Sequence, residues 1–394
     1  MEEVAIISAK RTAIGSFLGS LKNTNAIDLA SVVCKEILKE SNLQAEFVEE
    51  LILGQILQAG LGQNPARQIA LKAGMGTKAG AYVVNKLCGS GLKAIALAAQ
   101  SIMLGEAEII LAGGVENMSL SPFLLENVRN GYRMGDRNLI DSMLKDALTC
   151  SINNYHMGIT AENLAKQYKI SRKEQDEFAL LSQQKAAKAI KEGKFKEEIV
   201  PITLQNKGEA RVFDTDEFVK KDLELQSLSS LKPVFSKEGS VTSGNSSGIN
   251  DGAAFVLLTT KAKAKELNLP ILATLKAFAS IGVEPSIMGI GAAMAAKKVL
   301  EKTKMHIDDM DLIEANEAFA AQSLACLKEL QPKLDKVNVN GGAIALGHPV
   351  GASGARIVVT LLQAMKRQNK QWGLATLCVG GGAGIAAIFE RSGQ

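Results

Sequence analysis

Two thiols and an imidazole, each set in a glycine-rich turn, are the residues of this chain best suited to chemistry. Cys88 opens the run Cys88-Gly89-Ser90-Gly91, between the apolar stretch Ala81 to Leu87 and the helical pattern Leu92 to Met103, so it sits at a strand-to-helix turn. There the unpaired backbone N–H groups and the helix dipole favour negative charge, and the thiol pKa is expected to fall from about 8.5 towards neutrality. His348 stands in Gly347-His348-Pro349-Val350-Gly351 and Cys378 in Cys378-Val379-Gly380-Gly381-Gly382. A cysteine nucleophile needs a base for its proton, and His348 is one of only 3 histidines available. Three such turns suggest one assembled site.

The remaining polar candidates have ordinary readings beside the chemical ones. Asn316, in Asn316-Glu317-Ala318-Phe319-Ala320, either caps the helix that follows or orients a water or carbonyl oxygen near His348. Gly380 and its neighbours either form a plain turn or bring N–H groups to a ligand oxygen as an oxyanion hole. His156 reads by itself as a surface histidine between two helices, and His306, ahead of Asp308 and Asp309, as a solvated one. Cys34, Cys150 and Cys326 read as inert packing thiols. The 5 cysteines form no C-x-x-C pair and no Cys/His spacing suited to a metal, so reduced thiols and no metal site are expected.

The elements that must carry these turns alternate. Strand-like runs (Val4 to Ser8, Leu51 to Leu57, Ala81 to Val84, Ile109 to Ala112) are interleaved with helical ones (Ala26 to Glu40, Pro65 to Ala73, Leu92 to Met103), which predicts layered α/β structure. The C-terminal part repeats the scheme, with strands at Leu272 to Ala277, Leu312 to Ala315, Val337 to Val339, Thr376 to Val379 and Ile385 to Glu390. Helices are expected at Gly289 to Leu300, Ala318 to Leu330 and Gly351 to Met365. The pairs Ser90-Gly91 and Ser353-Gly354, and Gly113-Gly114 and Gly380-Gly381, recur at a near-constant offset, as in a duplicated unit. Between the halves, about Ser119 to Ser247, the texture turns charged and strand-poor, as in an insertion. Ser171 and Glu174 make a capping box for a helix that Gly193 stops, and Ala254 to Thr259 reads as the strand returning to the first unit.

Composition bounds the function classes. At 394 residues, with 46% hydrophobic and 22% charged residues, the chain is expected to fold throughout into more than one lobe. A net charge of +4 and 4% aromatic residues offer neither a basic face nor a stacking platform, so nucleic acid is not expected as a partner. No apolar run approaches the roughly 18 residues that would span a bilayer. The start, Met1-Glu2-Glu3-Val4, has no leader-like pattern and Arg391-Ser392-Gly393-Gln394 is no peroxisomal tripeptide, which makes a cytoplasmic protein without a membrane partner the expectation.

In order along the chain, Arg11-Thr12-Ala13-Ile14-Gly15, Cys88-Gly89-Ser90-Gly91, Gly158 to Asn163, Gly244 to Gly252, Asn316 to Ala320, Gly341 to Gly354 and Cys378 to Gly382 resemble the signatures of the thiolase family. The resemblance spans the whole chain. It implies a thiolase fold, an αβαβα sandwich of two duplicated α/β core domains: 1–118 plus 248–270, and 271–394, with a coenzyme A-binding loop domain at 119–247. It also implies roles. Cys88 would carry the acyl group, His348 would activate it, and Cys378 would exchange a proton with the α-carbon of the second thioester. Asn316, through a water, and His348 would form one oxyanion hole; the N–H groups of Cys88 and Gly380 would form the other. Two oxygens need two holes, because a thioester α-C–H is so weak an acid that the enolate must be stabilised as it forms.

His156 followed by Met157 is similar to the short-chain condensing branch, which implies acetyl-CoA as substrate, acetoacetyl-CoA and CoA as products, an acetyl-Cys88 intermediate and a place in fatty acid metabolism. No cofactor is implied, coenzyme A thioesters being substrates. Ser247 resembles the pantetheine-contacting hydroxyl, and Met288 and Phe319 the apolar channel wall. Lys220 and Lys221 stand where relatives often carry an Arg near the nucleotide end, keeping charge without its flat stacking surface. Ala292 and Ala383 replace a more usual Pro and Met. The resemblance further implies a homotetramer, with Glu126 to Ile140 as the loop between dimers. Rival readings are a chain-shortening 3-ketoacyl-CoA enzyme, a non-catalytic acyl-CoA carrier, and a nucleotide-binding oxidoreductase. The last is disfavoured because Gly380 to Gly384 precedes a strand rather than a helix.

Overall fold

The computed structural model describes residues 2–206 and 209–391; Met1 and the C-terminal Ser392-Gly393-Gln394 lie outside the described residues. The strands β1 (Val4–Thr12), β2 (Glu50–Gly54), β3 (Gly80–Val84), β4 (Ile109–Asn117), β5 (Asn250–Thr260), β6 (Ala273–Gly282), β7 (Leu312–Ala315), β8 (Trp372–Val379) and β9 (Ala383–Glu390) form one mixed 11-stranded sheet in the order β7-β8-β9-β6-β1-β5-β4-β2-β3. The short strands Gly15–Ser16 and Ile199–Val200 complete it on β5 and β1. The two halves join where β1 runs antiparallel to β6, Val4 opposite Leu275.

Alternation along the strands sorts side chains between layers. In β5, buried throughout, Ala254, Val256 and Leu258 face one apolar cluster while Ala253, Phe255 and Leu257 face another. The second cluster holds the outer helices α1 (Ala26–Glu40) and α2 (Pro65–Lys72). The first holds α3 (Ser90–Leu104), which the two halves bury between them together with a helix at Val350–Arg367. Met157–Gln167 and Arg172–Lys191, α4 and α5, belong to the insertion; Gly291–Thr303 and Ala320–Leu330, α6 and α7, cover the second half, and Val350–Arg367 is α8. The capping box Ser171/Glu174 is present at the start of α5.

The central pair α3/α8 packs backbone against backbone. A Cβ at Gly91 would lie 2.7 Å from the Ala355 nitrogen and one at Gly354 only 2.4 Å from that of Leu92, so both positions need glycine. These contacts lie in the first turn of α3 and the second of α8, so the N-terminal ends of the two helices meet.

One expected strand is absent. Val337 makes a single bridge to Ile313 and Asn338 takes a left-handed φ of 43°, which ends any extension there. The Asn338 amide takes the place of a strand neighbour, accepting from Ala315 N at 2.9 Å and donating to Ala315 O at 2.8 Å. The insertion is less strand-poor than expected: it includes a hairpin of Ile202–Asn206 with Glu209–Phe213 and a short pairing of Phe123 and Leu124 with Asp141 and Ile140.

A fully buried guanidinium locks the insertion onto β1. Arg11 Nε donates to Glu198 at 2.7 Å, and Nη1 and Nη2 reach the two Asp216 oxygens at 2.7 and 2.9 Å. Phe195 lies under the guanidinium, 5.1 Å from ring centre to Cζ. Thr360 in α8 donates to the same Glu198 oxygen, at 3.1 Å. Removing one partner leaves uncompensated buried charge, so Arg11→Met is expected to lower unfolding free energy by about 3–5 kcal/mol. Denaturant unfolding measures this, and an unchanged midpoint would contradict the account.

Candidate active site

The Cys88 turn is built by its own neighbours. Leu87 takes a φ of 46°, the Ser90 hydroxyl donates to Leu87 O at 2.6 Å and accepts from Lys86 N at 2.8 Å, and α3 starts at once. Gly89 allows the turn to sit against β8 and β9: a Cβ there would lie 2.8 Å from Val379 Cγ2. The half-buried Cys88 packs beside a cluster that includes Ile56, Leu57, Met118 and Val350.

The Cys88 thiol departs from expectation. Burial pushes it up to about 11, outweighing the opposite pull of the N–H groups of Gly380 and of Cys88 itself, while Glu116 adds to the rise. A helix N-terminus lowers a thiol pKa, but the apolar cluster around the Cys88 turn outweighs it here. The resting thiol is therefore protonated and needs a base.

His348 lines the same cavity as Cys88 and carries a neutral imidazole. Its Nδ1 lies 2.5 Å from Ser353 Oγ, and the Ser353 hydroxyl donates its one proton to Pro349 O at 3.0 Å. The hydroxyl can then only accept from Nδ1–H, which leaves Nε2 bare. Burial, and secondarily Arg356, hold the imidazole down at about 4, so it is neutral at physiological pH. Its backbone N–H donates to Asn250 Oδ1 at 2.9 Å, and Asn250 Nδ2 in turn donates to Gly15 O at 3.0 Å, fixing the turn to the first half.

One cavity of about 520 Å³ collects Cys88, His156, Met157, Ser247, Met288, Phe319, His348 and Gly380. Cys378 and Asn316 are buried and do not line it. Burial holds Cys378 well above the ordinary thiol range, with Cys88 and Cys326 near enough to raise it further. Asn316 does not cap α7, whose first turn is preceded by Phe319. Its backbone N–H reaches Thr376 O at 3.0 Å, two residues from Cys378, and neither polar atom of its buried amide has a partner among the described residues. An unpaired buried amide of this kind demands a water or a ligand oxygen. Lys220 lies outside the cavity, exposed, with its backbone N–H on Gln183 Oε1 at 2.9 Å; Phe218, two residues earlier, lines the wall.

His156 is no surface residue. Its Nδ1 accepts from Gly158 N at 3.0 Å, leaving Nε2–H as its donor, and burial keeps it neutral. Its ring stacks on Phe235 at 4.6 Å between centroids, and Phe235 meets Phe319 edge-on at 6.2 Å. Ser247 N donates to Ala318 O at 3.0 Å, so the return segment and the Asn316 loop form one wall. Sequence reasoning missed Phe235, Asn250 and the Ser353 partner of His348. A hydroxyl one turn into the helix after His348 was the readable signal for the last; Phe235, in a charged stretch without periodicity, gave none.

Residues 4–262 match the thiolase N-terminal domain and residues 269–391 the thiolase C-terminal domain. Acetyl-CoA acetyltransferase of Chromobacterium violaceum is 55% identical over 390 residues, covering 99% of this chain and 100% of that protein. The crystal structure of the Bacillus anthracis acetyl-CoA acetyltransferase superposes with a TM-score of 0.97 at 46% identity, covering 99% of each chain. The acetyl-CoA acetyltransferase structure from Syntrophomonas wolfei reaches 0.98 at 40% identity, covering 100% of each. The chain belongs to the thiolase family.

Proposed function

We propose that this thiolase is an acetyl-CoA C-acetyltransferase, joining two acetyl-CoA into acetoacetyl-CoA and CoA, reversibly, through acetyl-Cys88. The observation that carries the reading is the arrangement around one sulfur. Cys88, the imidazole of His348 and the Gly380 turn line one cavity, and a second thiol is buried near the first. The protons balance from a neutral start. Cys88 gives its proton to His348 Nε2 as the sulfur attacks the first thioester carbonyl, and the N–H groups of Cys88 and Gly380 take the developing oxyanion. The departing CoA thiolate takes the Cys378 proton. The Cys378 thiolate so formed is a strong base because it is buried, which suits so weak an acid as the α-C–H of the second acetyl-CoA. The enolate oxygen is held by protonated His348 and by a water on Asn316 while its carbon attacks acetyl-Cys88. The Cys88 thiolate then leaves and recovers the proton from His348. The chain's own thiols, imidazole and N–H groups supply every step, so no cofactor is needed.

Short-chain preference is supported by the walls at the acyl end. Met118, Ala147 and Leu148 line the cavity with Cys88, and the His156–Phe235–Phe319 stack narrows the same space. Thiolysis of acetoacetyl-CoA is expected to exceed that of a sixteen-carbon 3-ketoacyl-CoA by ~10²-fold or more in kcat/KM. Equal rates would favour the chain-shortening reading, and turnover of neither would favour a carrier. Cys88→Ser is expected to lose the acetyl-enzyme burst. Cys378→Ser is expected to accept acetyl yet no longer exchange acetyl-CoA α-protons with deuterium; retained exchange would remove Cys378 from the proton role.

The cytoplasm, fatty acid metabolism and a homotetramer complete the proposal. Lys220 would lie towards the nucleotide end of coenzyme A, beyond Phe218. In the loop 126–140, Val128, Met134 and Leu139 stand 52%, 89% and 64% exposed, apolar surface that a second pair of copies would cover. Sedimentation is expected to give four copies, falling to two in Met134→Glu; four copies in that variant would rule out this loop as the contact.

A further inference from the structure

A buried carboxylate that the proposed reaction does not consume stands next to Asn316 in the chain. Glu317 accepts three hydrogen bonds: from Asn338 Nδ2 at 2.7 Å on one oxygen, and from Ser182 Oγ at 2.6 Å and Ile344 N at 3.3 Å on the other. The three donors come from separate segments. Asn338 is the residue whose amide clamps Ala315, Ser182 lies in α5 of the insertion, and Ile344 lies in the short helix Ala343–Leu346 that leads to His348. The Ser182 hydroxyl also accepts from Gly342 N at 3.0 Å. A Cβ at Gly342 would collide with the Glu317 carboxylate, which fills the space a side chain would take there.

Asn316 depends on this frame. Its amide has no partner among the described residues, so its aim follows from the peptides on either side. Asn338 fixes the peptide before it, through Ala315, and the anchored Glu317 fixes the one after it. His348 differs, because Ser353 holds its ring and Asn250 its backbone, neither through Glu317. We propose that Glu317 is a positioning residue that aims the Asn316 amide at the enolate oxygen of the second thioester.

The inference rests on the acyl-transfer reading of the same site and adds a residue to it. In the step concerned the Cys378 sulfur takes the α-proton, the C–H electron pair becomes the C=C bond of the enolate, and the carbonyl π electrons move to oxygen. Asn316, through its water, serves that oxygen only; the first acyl transfer uses the N–H groups of Cys88 and Gly380. Loss of the Glu317 anchor therefore weakens one half-reaction and spares the other. Glutamine suits the test because it keeps the shape of the side chain. Asn338 commits its oxygen and one N–H bond to Ala315, so it cannot turn over to accept from a new NH₂ group. In either orientation that group would face a donor, Asn338 Nδ2 or Ile344 N.

Two half-reactions of the full-length protein separate the outcomes: the Cys88 acetylation burst with acetyl-CoA, and exchange of acetyl-CoA α-protons with deuterium. Glu317→Gln is expected to slow exchange about 10- to 100-fold and to leave the burst rate within about twofold. Glu317→Gln added to Asn316→Ala is expected to slow exchange no further than Asn316→Ala alone, since the carboxylate acts through that amide. Unchanged exchange, equal slowing of both half-reactions, or additive losses in the double variant overturns the proposal. If Glu317→Gln does not fold, Ser182→Ala decides, because it removes one donor and keeps the carboxylate. Exchange is then expected to slow about threefold or more with the burst preserved; unchanged exchange, or an equal loss in both, overturns the proposal. Exchange absent from the unaltered protein would bring down the acyl-transfer reading, and this inference with it.

Discussion

The close contact of α3 with α8 is the constraint on which the site depends. Each helix begins where a catalytic turn ends, Cys88 before Ser90 and His348 before Val350. Glycines 91 and 354 let the N-terminal ends of the two helices touch through their backbones, and the Cys88 and His348 turns are thereby brought to one cavity from opposite halves of the chain. Two helix N-termini converge on that cavity, a field favourable to an anionic oxygen that no side chain has to supply. A side chain at either glycine would separate the halves at their most closely packed point.

Burial then decides protonation. The same burial that raises both thiols lowers the imidazole, so the uncharged forms prevail. Orientation comes from hydrogen bonds instead. The Ser353 hydroxyl selects the His348 tautomer, and Asn250 holds the His348 backbone against the loop after β1. Asn316, with its amide unpaired, is the exception that calls for solvent or substrate.

How far the sequence could be read depended on how local each cause was. The alternation of strands and helices, the Ser171 capping box and the helix starting at Ala26 follow from periodicity and turn chemistry within a few residues. The Cys88, His348 and Cys378 turns were legible because their glycines and polar residues are contiguous. The direction of the Cys88 shift was not, because helix position argued one way and tertiary enclosure, invisible in a linear chain, argued the other. Val337 to Val339 misled for a related reason: a side-chain amide occupies the place of a neighbouring strand. The stacking of Phe235 on His156 joins residues from distant parts of the insertion and leaves no spacing to recognise.

The buried Arg11 has a consequence for the order of events on the ribosome. Strand β1 needs β5 beside it, with Val4 opposite Thr260, and its guanidinium needs Glu198 and Asp216. Neither can be satisfied until more than half of the chain has emerged. The first segment to be synthesised must therefore wait, unpaired, for partners made much later, a delay typical of folds dominated by contacts distant along the chain. Nascent chains of this protein should accordingly present the apolar faces of β1 to chaperones until translation has passed the return strand.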